Sequence, residues 1–143
     1  MKAPILALLL ACSPLLALAD TASEQQSIEH LLRSNFERPD VPLDVGPVTV
    51  EGDHAVAGWL QDQRGGRALL RKGPHGWRVV LCAGDALLAP ATLRSAGLGE
   101  QDAERLSQAV RQAESSQPAK RIKQFALFQG VVKVDKGAAH GNH

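Results

Sequence analysis

Between His54 and Cys82, HAVAGWLQDQRGGRALLRKGPHGWRVVLC, three runs of strand length are separated by five residues, Asp62 to Gly66, and then by four, Gly73 to Gly76. A parallel crossover needs a dozen or more residues, so connections this short dictate an antiparallel meander. The three strands are expected at His54–Gln61, Arg67–Lys72 and Trp77–Cys82, with turn glycines supplying the backbone freedom between them. Alternation puts Ala55, Ala57 and Trp59 on one face of the first run. Small residues beside one tryptophan imply that a helix packs closely there. In the third run Trp77, Val79 and Leu81 share a face, so Cys82 is expected to point to the other one.

The flanks supply that helix and the sheet's remaining strands. Ile28, Leu31, Leu32 and Phe36 recur at helical spacing, which predicts a helix over 22–36, and Thr21-Ala22-Ser23-Glu24 fits a capping box at its start. Pro39, Pro42 and Pro47 exclude its continuation. Val45, Val48 and Val50 then read as a first strand, closed by the turn chemistry of Glu51-Gly52-Asp53. After Ala83-Gly84-Asp85 the period changes: a short turn to Leu88, another opened by Pro90, and a helix from Glu100 to about Ser115. Its early acids oppose the positive end of the helix dipole. Its narrow seam of Ala103, Leu106, Val110 and Ala113 suits the sheet's border. Pro118 opens one more short helix, whose Lys120, Arg121 and Lys123 read as a solvated face, and Phe128 to Val134 as an extended segment. The expected fold is α+β: an N-terminal helix packed on an antiparallel four- to five-stranded meander, cystatin-like or nuclear-transport-factor-like, with C-terminal helices at the edge.

The ends of the chain read differently from this middle. Residues 1–19 combine Lys2, an apolar stretch and Ala17-Leu18-Ala19, the pattern of a signal peptide, which implies export to the periplasm. Pro14 and the short apolar length argue against stable membrane insertion, and lipidation at Cys12 is the lesser alternative. One domain is expected over 20–135, followed by a flexible tail, 136–143. Without the leader, 15 basic residues balance 15 acidic ones, so no nucleic-acid partner is expected. One cysteine then remains, so the fold has no internal disulfide.

Catalytic signatures are missing from the sequence: it has no Gly-x-Ser-x-Gly, no phosphate loop, no His-Glu-x-x-His and no Cys-x-x-Cys. The expected protein is not an enzyme. Candidate metal ligands are His140 and His143, two imidazoles three residues apart that suit Cu(II) or Zn(II), and Cys82, the natural soft ligand or redox thiol. A cysteine in an apolar strand equally reads as core.

Phe36-Glu-Arg-Pro39, Val50-Glu-Gly-Asp-His-Ala-Val-Ala-Gly-Trp59, Gly65-Gly-Arg-Ala-Leu-Leu-Arg71, Trp77-Arg-Val-Val-Leu-Cys-Ala-Gly-Asp-Ala-Leu87 and Phe128-x-Gly-Val-Val132, with a histidine-bearing tail, together resemble the bacterial copper uptake system-associated proteins. The resemblance implies a periplasmic accessory role beside copper-handling envelope proteins, a chaperone or an importer. It makes copper the expected cofactor, bound weakly or handled through a docked partner. A periplasmic protein-interaction module with no metal role, using the sheet's concave face or the Lys120–Lys123 patch, is the alternative that the residues alone allow.

Overall fold

The computed structural model describes residues 15–134, with side chains from Asp20 onward. A helix α1 (Leu15–Phe36) precedes four strands, β1 (Asp44–Glu51), β2 (His54–Gln61), β3 (Arg64–Gly73) and β4 (Gly76–Ala83). A 3₁₀ turn at Asp85–Leu88 leads into α2 (Pro90–Ser95), α3 (Glu100–Glu114), α4 (Ala119–Phe125) and β5 (Val131–Lys133). The five strands form one antiparallel sheet in sequence order, the meander that the short connections dictate. The fold is α+β, as expected. Among the described residues no helix is long and apolar enough to cross a membrane. Residues 1–14 of the leader expected at 1–19, and the whole of the tail expected at 136–143, lie outside the described residues.

Both faces of the sheet are covered, each by a different part of the sequence. Ile28 and Leu32 of α1, one helical turn apart, are buried against Ala55, Ala57, Ala68 and Leu70. The small residues of β2 thus admit the helix, as the alternation implied. On the opposite face Val56, Leu69 and Leu81 meet Leu93 of α2 and Ala103, Leu106 and Val110 of α3. The helix α3 does lie along β1, the edge strand, but Ala103, Leu106 and Val110 of its seam are buried and close a second core. Acids at Glu100 and Asp102 occupy its first turn.

Two local expectations fail for physical reasons. The capping box at Thr21–Glu24 does not open the helix; those residues lie inside α1, and Glu24 instead forms an ion pair with Lys72. Gly65 and Gly66 are not turn residues. The turn is only Asp62-Gln63, with Asp62 at φ 56°, and both glycines sit in β3. They are there because the chain returning from α4 presses on them: a Cβ at Gly65 would meet the Gln124 carbonyl, and one at Gly66 would meet Trp59 and Phe128.

The third correction concerns Cys82. The pairing of β3 with β4 slips between Leu69↔Leu81 and Leu70↔Val79, leaving Val80 as an extra residue in β4. A bulge of this kind reverses the alternation beyond it. Cys82 therefore joins Trp77 and Val79 on the α1 face instead of pointing away from them.

Candidate functional site

The α1 face is not covered along its whole length. The helix ends at Phe36 while the sheet continues, and this leaves a groove of about 410 Å³. Leu32 and Phe36 form its helical wall, Trp59 and Cys82 its floor, and Phe128 and Val132 its far side. Trp59 and Phe128 meet edge to face, with ring centroids 6.0 Å apart and planes at 83°. This T-shaped contact fixes the aromatic floor. The large hydrophobic side chains that remain exposed among the described residues, Phe36, Leu127, Val131 and Val132, all belong to the segments around this end of the sheet. Two of them, Phe36 (41% exposed) and Val132 (52%), line the groove itself.

A polar frame holds the groove open at one side. Gln61, nearly buried at the end of β2, donates from Nε2 to the Phe36 carbonyl at 2.9 Å and to the Val41 carbonyl at 3.3 Å. Glu37 accepts from the Leu43 N–H at 2.9 Å. Arg64 donates to Gln61 Oε1 at 3.3 Å and lines the rim. The proline-rich crossing after α1 is thus tied to the sheet instead of folding into the groove.

Cys82 sits half-buried in the floor, and burial alone pushes its thiol up to about 11. The group is protonated at neutral pH, the form that neither attacks nor ligates. Relative to its ordinary value of 9.0, the thiolate fraction near pH 8 falls about a hundredfold. Alkylation of the native protein by iodoacetamide should therefore be slow at pH 8 and accelerate up to about pH 11, whereas the unfolded chain reacts at the ordinary rate. Equal rates for native and unfolded protein at pH 8 would contradict this burial.

Of the three candidate ligands, His140 and His143 lie outside the described residues. Among the described residues no three His, Cys, Asp or Glu side chains converge on a metal-sized site. The Lys120–Lys123 patch is not uniformly solvated. Arg121 turns back onto the domain, donating to Asp44 at 2.7 and 3.2 Å and to the Gly46 carbonyl at 2.7 and 3.0 Å. Those hydrogen bonds hold the Asp44 carboxyl below the usual carboxylate range. Lys120 and Lys123 remain exposed.

The residue that sequence reasoning missed is Arg67, fully buried in β3. Its guanidinium grips Glu114 of α3 with two hydrogen bonds, 2.7 and 2.6 Å, and reaches Asp85 at 3.1 Å. Burial works against the charge, but the bonds to Glu114 and Asp85 outweigh it, and the pKa lies above the ordinary arginine value. Phe125 of α4, also buried, has the Arg67 guanidinium 5.3 Å from its ring centroid and that of Arg121 at 5.4 Å. A Cβ at Gly58 would collide with that ring. A signal was present in the pattern: Arg67 pairs with Gly58 on one side and Ala83 on the other, small partners that leave room for a buried arginine. The cluster is a tie that fixes α3 and α4 to the sheet, and through α4 it positions Phe128 at the groove.

Comparisons with family models, curated proteins and solved structures returned no match.

Proposed function

We propose that this protein is a non-enzymatic accessory module of copper uptake in the periplasm, and that it works by docking an apolar segment of a copper-handling partner, a chaperone or an importer, in the groove beside α1. The observation that carries the docking reading is the groove: an aromatic floor held by hydrogen-bonded walls, with exposed Phe36 and Val132 at its margin. Apolar patches left open beside polar rims are where proteins bind other proteins. The copper setting comes from the family resemblance, and the raised Cys82 pKa supports a packing role for that thiol. Export follows from the leader-like residues 1–19.

Phe36→Glu and Val132→Glu test the reading, because both side chains are already substantially exposed and neither is needed to close a core. Binding of purified copper chaperones and importer domains, followed by calorimetry, should weaken at least tenfold in each variant while the unfolding midpoint stays unchanged. Undiminished binding in both variants would move the docking surface elsewhere, with the Lys120–Lys123 patch as the alternative surface.

A further inference from the structure

The two edges of the sheet differ. At one, β1 carries Pro47, which has no N–H to offer, its pairing with β2 slips between Val45 and Val48, and α1 and α3 both pack on it. At the other, β5 carries no proline and pairs with β4 in unbroken register. Val134 donates its N–H to the Val80 carbonyl, so Val132 also faces β4, and the N–H and C=O groups of Val131 and Lys133 point away from the sheet. Among the described residues no strand pairs with that side. The edge is only three residues long, so side chains as well as main chain must hold whatever is added to it.

The groove beside this edge defines those side chains. Val132 and Val134 line it, so every second residue of an added strand lies on the groove side, where apolar groups suit the floor. Two guanidiniums, Arg38 and Arg64, stand at the rim, and both residues are exposed. Arg38 has no carboxylate partner among the described residues, and the Arg64 side chain reaches Gln61 Oε1 at 3.3 Å. The acid of the groove, Glu37, already accepts the Leu43 N–H. Both cations lie toward the start of β5. Arg67 pairs with Ala83, which pairs with Val131, and Arg64 is three residues further out along β3. Arg38 follows Phe36, whose carbonyl is held by Gln61, the partner of Arg64 in the β2–β3 pairing. A second copy of the chain would not satisfy these charges, since β5 offers Lys133 and no acid.

We infer that the partner's segment adds to β5 as a sixth, antiparallel strand with the pattern apolar-x-apolar-x-acid, its apolar residues over the groove and its carboxylate at Arg38 and Arg64. This rests on the groove docking proposed above and names the chemistry of the segment docked. An antiparallel strand ends where β5 begins, which puts the acid after the apolar residues. The residues opposite Val131 and Lys133 share their face, so the N–H groups bonded to β5 belong to the x positions.

The probe is the synthetic peptide acetyl-Thr-Val-Thr-Val-Thr-Phe-Thr-Glu-amide, titrated into the purified protein by calorimetry. N-methylation of its third Thr should weaken binding tenfold or more, and N-methylation of its second Val less than twofold. Replacing its Glu by Gln should weaken binding at least fivefold in the parent protein and less than twofold in the Arg38→Gln/Arg64→Gln double variant. Both arginines are exposed, so the unfolding midpoint of that variant should not move. The inference is overturned by a peptide that does not bind, by equal effects of the two N-methylations, or by the same Glu-to-Gln loss in parent and double variant. A protein that sediments as a dimer dissolved by Val132→Glu would make a second copy the occupant and overturn it as well. If the peptide fails while partner binding still falls in Phe36→Glu and Val132→Glu, this mode is wrong and the groove reading stands; partner binding unchanged in those two variants is the failure of the groove reading itself.

Discussion

Glu114→Ala should destabilise the domain by about 3–5 kcal/mol, because it leaves the fully buried Arg67 guanidinium without its bidentate partner. Asp85 does not replace it. That carboxylate contacts a single guanidinium nitrogen at 3.1 Å, and its side chain is 69% exposed, so water screens the pair. Against a typical domain stability of about 5–15 kcal/mol, the loss is a large fraction of the total. Replacing both partners, Arg67→Met with Glu114→Leu, removes the stranded charge and should recover most of the loss. Urea unfolding of the two variants checks this. A Glu114→Ala cost below about 1 kcal/mol would mean that the arginine finds solvent, contrary to its complete burial.

Phe125→Ala should cost a similar amount, about 3–5 kcal/mol, for a different reason. The ring is fully buried and fills the space that Gly58 leaves open, with two guanidiniums near it. Its removal leaves a cavity beside a charge and loosens α4 from β2 and β3. Gly58→Ala approaches the same contact from the other side and should cost about 1–3 kcal/mol by overpacking. Combined with Phe125→Leu, the pair should cost less than the sum of the two single changes, since they share one contact. Additive costs would show that ring and glycine do not meet. The Phe125→Ala variant should also lose protection from amide exchange in α4 before the rest of the sheet opens.

The strands were legible because their evidence is local. The alternation in His54–Gln61 and the turns on either side set the bounds of β2, and the prolines after Phe36 stopped α1 where they should. What escaped depended on contacts far apart in the chain. Gly65 and Gly66 looked like a turn because nothing near them announces that α4, nearly sixty residues on, presses there. The bulge at Val80 is a one-residue slip in pairing with β3, invisible to a period-two reading, yet it decides which face holds Cys82. Arg67 looked like a strand-end charge, and its partner Glu114 is 47 residues away. The groove was half legible. Trp59 pointed to the α1 face, but Cys82 joins it in the open floor only through the bulge, and Phe128 meets it only through a contact far apart in the chain.

The central claim, that the groove docks a copper-handling partner, is met most directly by site-specific photo-crosslinking in intact cells. A benzophenone amino acid would replace Val132 at the groove margin, or Glu51 at the β1–β2 turn as a control on another surface. The account predicts an adduct from position 132, identified by mass as a copper chaperone or importer component, that disappears when Phe36→Glu is added. Position 51 should not form that adduct. No adduct from position 132, or the same adduct from both positions, would contradict it.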